Sequence, residues 1–333
     1  MRQKFVFWCD CNEIIGFGHF VRCLSIARII QSYLRPLCEI VFFGNYNQFA
    51  KNLLSESGFE IACLRSEDIK RGMKIWNYLQ GSNYFIMDTY DMNEKLINSF
   101  CGQHFKFIVV DDFNKFKFKN VDLVINFTIE GPNYKYLSKN VALGVNFFPA
   151  KLELLKIRKK NERRLKNKVK SILILMGGSD RGGIGKRALL CIDRLVKHKE
   201  IYYVNNEQTI KNKRLFRSNF ISYQRLTPSI ENVYRRADVA ILGGGLSKYE
   251  SLFCCIPSAS FSRTRGEYND TLALSRKNLI YNFCLAEQFS QANFEKDFTK
   301  FLSFPVRKKL YLNMKNIFFS DSMANLFNSI IYC

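Results

Sequence analysis

Short apolar runs typical of β-strands alternate along this chain with longer stretches that carry apolar residues at helical spacing. The segment 21–34, between the first two runs, shows that helical spacing clearly. Alternation of this kind is typical of parallel sheets whose strands are joined by right-handed helical crossovers. Because the alternation runs through the chain twice, we predict an α/β protein with two such sheets.

A basic segment separates the two series of predicted elements. Strands are predicted at 4–9, 38–43, 59–64, 84–88, 105–111 and 123–127, and then at 171–176, 201–204, 219–222, 239–242 and 258–261. Helices are predicted at 21–34, 184–196, 228–236, 246–254 and 271–277, and after Pro305. We therefore predict an N-terminal domain at 1–155, a basic linker at 156–170 and a C-terminal domain at 171–333, whose last helix is free to pack back on the N-terminal domain.

The net charge of +22 is the extreme feature of the composition. It permits three classes of partner: nucleic acid, an anionic membrane surface or a phosphorylated small molecule. Nine basic residues fall within 156–170, against the single acid Glu162. A block of this kind is typical of a solvated linker or helix face, and it is also compatible with peripheral contact with a membrane.

Cysteine usage and hydropathy indicate the compartment. No stretch approaches the roughly 18 uninterrupted apolar residues of a membrane-spanning helix, and no export signature is present. The eleven cysteines are odd in number and lie mostly in apolar segments, so we expect reduced thiols in a cytoplasmic protein. No cysteine pair is followed by further ligands at zinc spacing, and we predict neither a metal nor a cofactor.

The loop after the first strand contains Gly16, Gly18 and His19. Two glycines let the backbone turn tightly and approach a ligand, and the helix that follows offers free N–H groups to an anion. A histidine at this point can act as a general base near neutral pH. The alternative is that His19 merely caps the helix.

Two further strands of the first series end in carboxylates. Asp88, Thr89, Tyr90 and Asp91 follow one strand, and a carboxylate and a phenol at this point suit the orientation of a base or the binding of sugar hydroxyls. Turn and N-cap chemistry is the alternative, and we favour it for Asp91. The aspartate pair at 111–112 closes the next strand, and the sequence is equally compatible with a turn role and a functional role for this pair.

Glycine turns follow two strands of the second series, at 177–180 and at 243–250. Their N–H groups can face phosphate oxygens, and in the second turn Ser247 adds a hydroxyl at the start of a helix. Glu250, one helical turn later, could accept hydrogen bonds from both ribose hydroxyls. A single glycine turn is usually structural, but two at equivalent places in one domain indicate a nucleotide diphosphate site.

The stretch DCNEIIGFGHFVRCLSIA at 10–27 closely resembles the N-terminal signature of the UDP-2,4-diacetamido-2,4,6-trideoxy-β-L-altropyranose hydrolases of pseudaminic acid biosynthesis. Further similar segments follow in the same order: IMDTY, VVDD, DLVINF, LGVNFFPAKLELL, LMGGSD and ADVAILGGGLSKYE. The last two are also similar to motifs of the lipid-linked N-acetylglucosaminyltransferase of peptidoglycan synthesis. The resemblance implies a GT-B fold, in which two Rossmann-like domains face each other across a cleft.

The resemblance also implies a metal-independent reaction in which water attacks the anomeric carbon with inversion. His19 matches the histidine thought to activate that water, and Tyr90 matches an active-site tyrosine. The family's ligand-contacting Asn-Gln pair falls near 266–270, which implies Asn269 as its substitute. We assign catalysis to His19, Tyr90 and Asp10; substrate binding to Gly16, Gly18, Arg22, Asp88 and Asn269; and UDP binding to Gly178, Ser179, Gly244, Gly245, Leu246, Ser247 and Glu250.

Three functions stay open at this point. The first is a monomeric hydrolase that releases UDP and a free sugar for surface glycan synthesis. The second is a UDP-sugar-dependent glycosyltransferase on the same scaffold, in which an acceptor hydroxyl replaces water and the basic segment meets an anionic membrane. The third is a nucleic-acid-binding protein, which we do not expect because aromatic and basic residues are not interleaved as RNA-binding motifs require.

Overall fold

A computed structural model of the chain describes residues 2–11, 16–63, 73–162, 165–178, 180, 182–205, 219–224, 231–317 and 321–333. The chain divides into two compact units. Unit 1 comprises Met1–Lys151 together with Phe319–Cys333, and unit 2 comprises Leu152–Phe318. The end of the chain therefore belongs to the same unit as its beginning.

The described part of unit 1 contains one sheet of seven parallel strands. Its strands are β1 (Gln3–Cys9), β2 (Cys38–Gly44), β3 (Glu60–Cys63), β4 (Tyr84–Asp88), β5 (Lys106–Val110), β6 (Leu123–Asn126) and β7 (Asn140–Leu143). The order across the sheet is β3-β2-β1-β4-β5-β6-β7. The chain thus winds outward from β1 in one direction and from β4 in the other, as in doubly wound α/β folds.

Helices connect these strands. They are α1 (Gly18–Leu34), α2 (Gln48–Glu56), α3 (Met73–Leu79) and α4 (Glu94–Phe100), with α12 (Ser322–Ile331) added from the end of the chain. Phe327 of α12 stacks on Tyr33 of α1 with ring centroids 4.4 Å apart, and Tyr84 donates to the carbonyl of Ile331 at 3.3 Å. These contacts attach the C-terminal helix to unit 1.

Aromatic side chains fill much of the unit 1 core. Phe85 and Phe107, on neighbouring strands, stack with centroids 5.3 Å apart, and Phe100 of α4 meets Phe85 edge-on at 4.9 Å. All three side chains are buried. Each such side chain contributes about 1.5–3 kcal/mol of burial free energy, which holds the strands and helices in place beneath the loops.

In the described part of unit 2, a second parallel sheet has six strands. They are β8 (Ser171–Leu175), β9 (Glu200–Val204), β10 (Phe220–Gln224), β11 (Val239–Gly243), β12 (Ser258–Ser262) and β13 (Tyr281–Leu285), in the order β10-β9-β8-β11-β12-β13. The helices are α5 (Leu152–Asn161), α6 (Ile184–Leu195), α7 (Glu231–Arg236), α8 (Leu246–Phe253), α9 (Arg265–Arg276), α10 (Gln291–Leu302) and α11 (Phe304–Ile317).

The segment predicted as a basic linker begins inside a helix, and this part of the prediction is corrected. Helix α5 runs to Asn161 and buries Leu154, Ile157 and Arg158. The Arg158 guanidinium donates to the carbonyl of Phe253 at 2.9 Å and lies over the ring of that residue. Leu154 and Ile157 lie three positions apart on one helical face, while Lys156, Lys159 and Lys160 are exposed, which explains why a strongly basic sequence packs here.

The predicted α/β class with two parallel Rossmann-like sheets is confirmed. Every predicted strand has a counterpart, although β7 and β13 were not predicted and position 64 lies outside the described residues. Helix α9 begins at Arg265 rather than at 271, because Thr264 caps it by accepting from the backbone N–H of Glu267. No helix among the described residues is long and apolar enough to cross a membrane.

Candidate functional site

Unit 1 gathers charged side chains at the carboxyl ends of β1 and β4. These two strands are neighbours, with Cys9 paired to Asp88. Helix α1 follows the loop that leaves β1, and its first turns carry His19 and Arg22. The structure thus brings together three predicted site residues at the edge of the sheet where ligands of α/β proteins bind.

The carboxylate of Asp88 is the centre of this cluster and is fully buried. Its Oδ1 lies 2.5 Å from Nδ1 of His19 and accepts from Nη2 of Arg22 at 2.6 Å. Nε of Arg22 donates to Oδ2 of the same carboxylate. The other side of the guanidinium donates through Nη1 to both oxygens of Asp112, at 2.8 and 2.6 Å. Arg22 is therefore clamped between two carboxylates.

The charges in this cluster stabilise one another. Burial alone would raise the pKa of Asp88, but the neighbouring Arg22 and His19 outweigh burial and hold that pKa well below its ordinary value. Burial likewise disfavours the charged form of Arg22, yet the charges of Asp112 and Asp88 raise its pKa well above the ordinary value. Asp88 is thus an ionised carboxylate, able only to accept hydrogen bonds.

An ionised Asp88 fixes the imidazole of His19. With a hydrogen on Nδ1 donated to the carboxylate, the lone pair of the neutral ring lies on Nε2. Nη2 of Arg22 also lies 3.0 Å from Nδ1, because both groups bind the same oxygen of Asp88. A histidine oriented by a buried carboxylate in this way can take a proton at Nε2, as in the histidines of hydrolytic triads.

An exposed aromatic ring adjoins the histidine, and a second exposed ring packs on the first. Tyr90 meets His19 edge-on with centroids 4.1 Å apart, and Phe113 stacks on Tyr90 at 6.4 Å. His19 is 5% exposed, whereas Tyr90 is 58% and Phe113 47% exposed. A ligand that approaches the imidazole would therefore meet Tyr90 first. Phe113 was not predicted, and its position directly after the two aspartates that follow β5 was the available signal.

The remaining predicted residues of unit 1 lie around the same loop. Asp10 is buried and accepts from the backbone N–H of Asn45 at 2.8 Å and from Thr89 at 3.4 Å. Burial raises its pKa, against the opposing hydrogen bond from Asn45. Gly16 has a left-handed φ of +89°, and Gly18 begins α1 with open space where a side chain would stand. The positions 12–15, between Cys11 and Gly16, lie outside the described residues.

The two glycine turns of unit 2 lie side by side. They follow β8 and β11, which are neighbours with Leu242 paired to Leu175. A Cβ on Gly243 would come within 3.1 Å of the backbone of Met176, and a Cβ on Gly244 would come within 2.8 Å of Cβ of Glu267. A side chain at either position would force a neighbouring atom to move, most clearly at Gly244. Both turns therefore leave the carboxyl ends of neighbouring parallel strands.

The first turn leads into α6 through Asp180. Its carboxylate accepts from the N–H groups of Gly185 and Lys186, each at 2.9 Å, and from Tyr203 at 2.7 Å. Asp180 therefore caps the helix from a buried position and is not available to a ligand. Gly178 lies in the turn, half-buried, and the predicted residue Ser179 lies outside the described residues.

The second turn ends at the start of α8, whose N-cap residue Gly245 has no side chain that could cap the first N–H groups. Leu246 is the first residue of this helix, and Ser247 is 7% exposed. Among the described residues, the Ser247 hydroxyl has no hydrogen-bond partner. An uncapped helix start beside a buried, unpartnered hydroxyl is suited to bind an anionic group.

Glu250 lies one turn further along α8 and is 6% exposed. One of its oxygens, Oε2, accepts from the hydroxyl of Tyr234 at 3.0 Å. Burial raises the pKa of Tyr234, and the charge of Glu250 raises it further. The phenol therefore stays protonated and donates a hydrogen bond to the carboxylate. Glu250 is thereby held in a fixed orientation.

Asn269 is exposed on α9, and its side chain makes no hydrogen bond to any residue in the described ranges. The residues of α9 that reach the second glycine turn are instead Glu267, against Gly244, and Asp270, which pairs with Lys248 of α8 at 2.5 Å. The structure therefore does not bring Asn269 together with the other predicted residues of unit 2. Within the described ranges, no three His, Cys, Asp or Glu side chains are placed to hold a metal ion.

No protein-family model matches this sequence, and no curated protein sequence matches it. Solved structures do resemble it. MurG of Acinetobacter baumannii aligns with a TM-score of 0.71 at 12% identity over 100% of both chains. The glycotransferase of kitacinnamycin aligns at 0.70 and 9% identity over 99% of this chain and 98% of the other. A UGT transferase from Siraitia grosvenorii in complex with UDP aligns at 0.58 and 11% identity over 99% of both.

The fold is of the GT-B type. Two Rossmann-like units with parallel sheets of seven and six described strands match these structures along nearly their whole length. At 9–12% identity the likeness establishes the fold alone. It agrees with the GT-B fold that the motifs imply, and it gives no particular support to the pseudaminic acid hydrolases.

Proposed function

We propose that this GT-B protein is an enzyme that breaks the bond between UDP and a sugar by transferring the sugar to an acceptor hydroxyl. The observation that carries the proposal is the His19 imidazole, oriented by the buried and ionised Asp88 at the ligand-binding edge of the unit 1 sheet. A base fixed in this way serves a reaction in which a hydroxyl must lose a proton.

The nucleotide is proposed to bind to unit 2. The diphosphate oxygens would accept from the N–H groups at the start of α8 and from the Ser247 hydroxyl, which has no partner among the described residues. Oε1 and Oε2 of Glu250, held by Tyr234, would accept from the ribose hydroxyls. The likeness to a transferase solved with UDP supports this assignment at the level of the fold.

The chemical step is proposed to use residues of unit 1. Nε2 of His19 takes the proton of the acceptor hydroxyl as its oxygen bonds to the anomeric carbon, and the bond from that carbon to the diphosphate oxygen breaks with its electrons on UDP. Because the nucleophile attacks opposite the leaving group, the anomeric configuration inverts. Arg22, itself held by Asp112, fixes Asp88, and Asp88 stabilises the imidazolium that forms.

Hydrolysis is the second candidate, and one observation favours it. The segment 10–27, which includes His19, resembles the signature of hydrolases that act on UDP-2,4-diacetamido-2,4,6-trideoxy-β-L-altropyranose. In that case water is the nucleophile and the product is a free sugar for the synthesis of a nonulosonic acid of surface glycans. Both candidates use the same base and the same leaving group.

One assay tests the proposal. The protein is incubated in EDTA with UDP-2,4-diacetamido-2,4,6-trideoxy-β-L-altropyranose and, separately, UDP-N-acetylglucosamine, each with and without a bacterial lipid extract as the source of acceptor. Transfer predicts UDP release that needs the extract and sugar that appears in the lipid fraction. Release of UDP and free sugar without the extract assigns hydrolysis instead. Absence of UDP release under every condition contradicts both.

A further inference from the structure

The lysine of the second glycine turn is buried. Lys248 follows Ser247 in α8 and is 1% exposed. A lysine ammonium is ordinarily hydrated, and its burial is costly unless hydrogen bonds and an opposite charge compensate. The proposed reaction does not use Lys248, so the burial of its ammonium requires another explanation.

Three oxygen atoms surround the Lys248 ammonium. Nζ lies 2.5 Å from Oδ2 of Asp270, 2.6 Å from the carbonyl oxygen of Gly244 and 3.4 Å from Oγ1 of Thr271. The other oxygen of Asp270 accepts from the hydroxyl of Tyr249 at 2.7 Å. Asp270 therefore anchors the ammonium, and the ammonium draws the Gly244 carbonyl inward.

The direction of one carbonyl sets the direction of the next N–H. The described chain has a single cis peptide bond, at Arg35-Pro36, so the bond between Gly244 and Gly245 is trans. In a trans peptide the N–H points opposite to the carbonyl. With the Gly244 carbonyl turned to the buried ammonium, the N–H of Gly245 points the opposite way. That N–H makes no hydrogen bond within the described part of the chain, and the Cβ position of Gly245 faces open space.

We propose that Lys248 and Asp270 are a positioning pair that holds the 244–245 peptide with its N–H toward the diphosphate. The inference rests on the proposed UDP site and adds two residues that do not themselves touch the ligand. Without the ammonium, the peptide can rotate and present the Gly244 carbonyl oxygen to the phosphates. A carbonyl in that position repels the anion that the N–H would have bound.

A purely structural ion pair predicts a different response to mutation. Replacing a buried ion pair by uncharged side chains of similar volume is often neutral or favourable for stability. The double variant Lys248→Met/Asp270→Asn leaves no unpaired charge, so it is expected to fold. If the pair positions the peptide, the double variant should bind phosphate more weakly while its free energy of unfolding stays close to that of the unmodified protein.

The test compares UDP with uridine, which lacks phosphate. UDP affinity is measured by titration calorimetry and uridine affinity by NMR, for the unmodified protein, the double variant and Tyr249→Phe. The control Tyr249→Phe removes one hydrogen bond to Asp270 and keeps Lys248 on Gly244. The double variant is expected to bind UDP about tenfold more weakly or worse, as loss of a hydrogen bond to a charged group does, with uridine affinity within about twofold. Tyr249→Phe is expected to match the unmodified protein.

Two results overturn the positioning role. One is a folded double variant whose UDP affinity stays within about twofold of the unmodified protein. The other is a parallel loss of uridine and UDP affinity, which indicates general damage to unit 2. If the unmodified protein binds uridine and UDP equally or not at all, the proposed diphosphate site itself is wrong, and the positioning role fails with it. Thermal melts monitored by circular dichroism establish that each variant is folded.

Discussion

The carboxylate of Asp88, which orients the His19 ring, also neutralises the buried positive charge of Arg22. Asp88 accepts from the imidazole and from Arg22, and Arg22 is shared with Asp112. Removing Asp88 would leave a buried guanidinium with one partner fewer, so its loss would damage the fold as well as the reaction. His19 is the better residue for testing the chemistry, because its Nε2 can be removed while the contact to Asp88 is kept.

His19→Asn is expected to lower kcat by about 10²–10⁴-fold, the usual contribution of a general base. The asparagine amide can still donate to Asp88, so the fold should be retained. UDP affinity should stay within a few fold, because UDP is assigned to unit 2. The matched control is His104→Asn, since among the described residues His104 binds the carbonyl of Leu79 through Nε2 and packs on Phe105, away from Asp88. Near-normal turnover in His19→Asn would remove His19 from its proposed role.

Residues whose type and position at a strand end indicate a site were predictable from the sequence. Residues whose role depends on a partner that is distant in the sequence were not. Glycine, histidine and aspartate at strand ends pointed to His19, Asp88 and the turn at Gly244, and the structure places them at the expected edges of the two sheets. Lys248 could not be predicted, because a helical lysine is ordinarily exposed. Its burial depends on Asp270, which is brought near only when α9 packs beside α8.

At the scale of elements, the strands that were not predicted are both at the edges of their sheets. β7 and β13 are the last strands in the two sheet orders. Their side chains are only partly buried, so their sequences lack the continuous apolar run of a central parallel strand. Helix α9 begins six residues before its predicted start, and the Thr264 to Glu267 spacing, a capping-box signature, is the sequence signal for that start.

The carboxylate of Asp180, which caps α6, is predicted to stabilise unit 2. Asp180→Ala removes three hydrogen bonds, two from backbone N–H groups of the helix and one from Tyr203. The free energy of unfolding of unit 2 is expected to fall by about 1–3 kcal/mol. Tyr203→Phe removes only one of the three hydrogen bonds, so its free energy of unfolding should fall by less. Urea denaturation measures both variants, and an Asp180→Ala variant no less stable than Tyr203→Phe would contradict the capping role.

At the scale of the whole molecule, the net charge of +22 is not explained by the proposed sites. The described lysines of the basic segment, at 156, 159, 160, 166, 168 and 170, are all exposed. Contact of this segment with an anionic membrane is a proposal that accords with a lipid-linked acceptor. It requires no membrane-spanning helix.

Vesicle sedimentation checks this proposal. The protein is expected to pellet with phosphatidylglycerol vesicles and to be released as salt rises toward about 1 M, where charges are screened within about 3 Å. Phosphatidylcholine vesicles should not retain it. A Lys156/Lys159/Lys160→Ser variant should lose more binding than the matched variant Lys95/Lys117/Lys119→Ser in unit 1, whose lysines are also exposed. Equal loss in the two variants would assign the binding to net charge rather than to the segment.

The most direct measurement is a crystal structure of the protein with UDP. The proposal predicts diphosphate density at the start of α8, within hydrogen-bond reach of Gly245 N–H and the Ser247 hydroxyl, and ribose hydroxyls on the Glu250 carboxylate. UDP bound away from these residues, or a Glu250 carboxylate that contacts only Tyr234 while the nucleotide is present, would contradict the assignment of unit 2 as the nucleotide site.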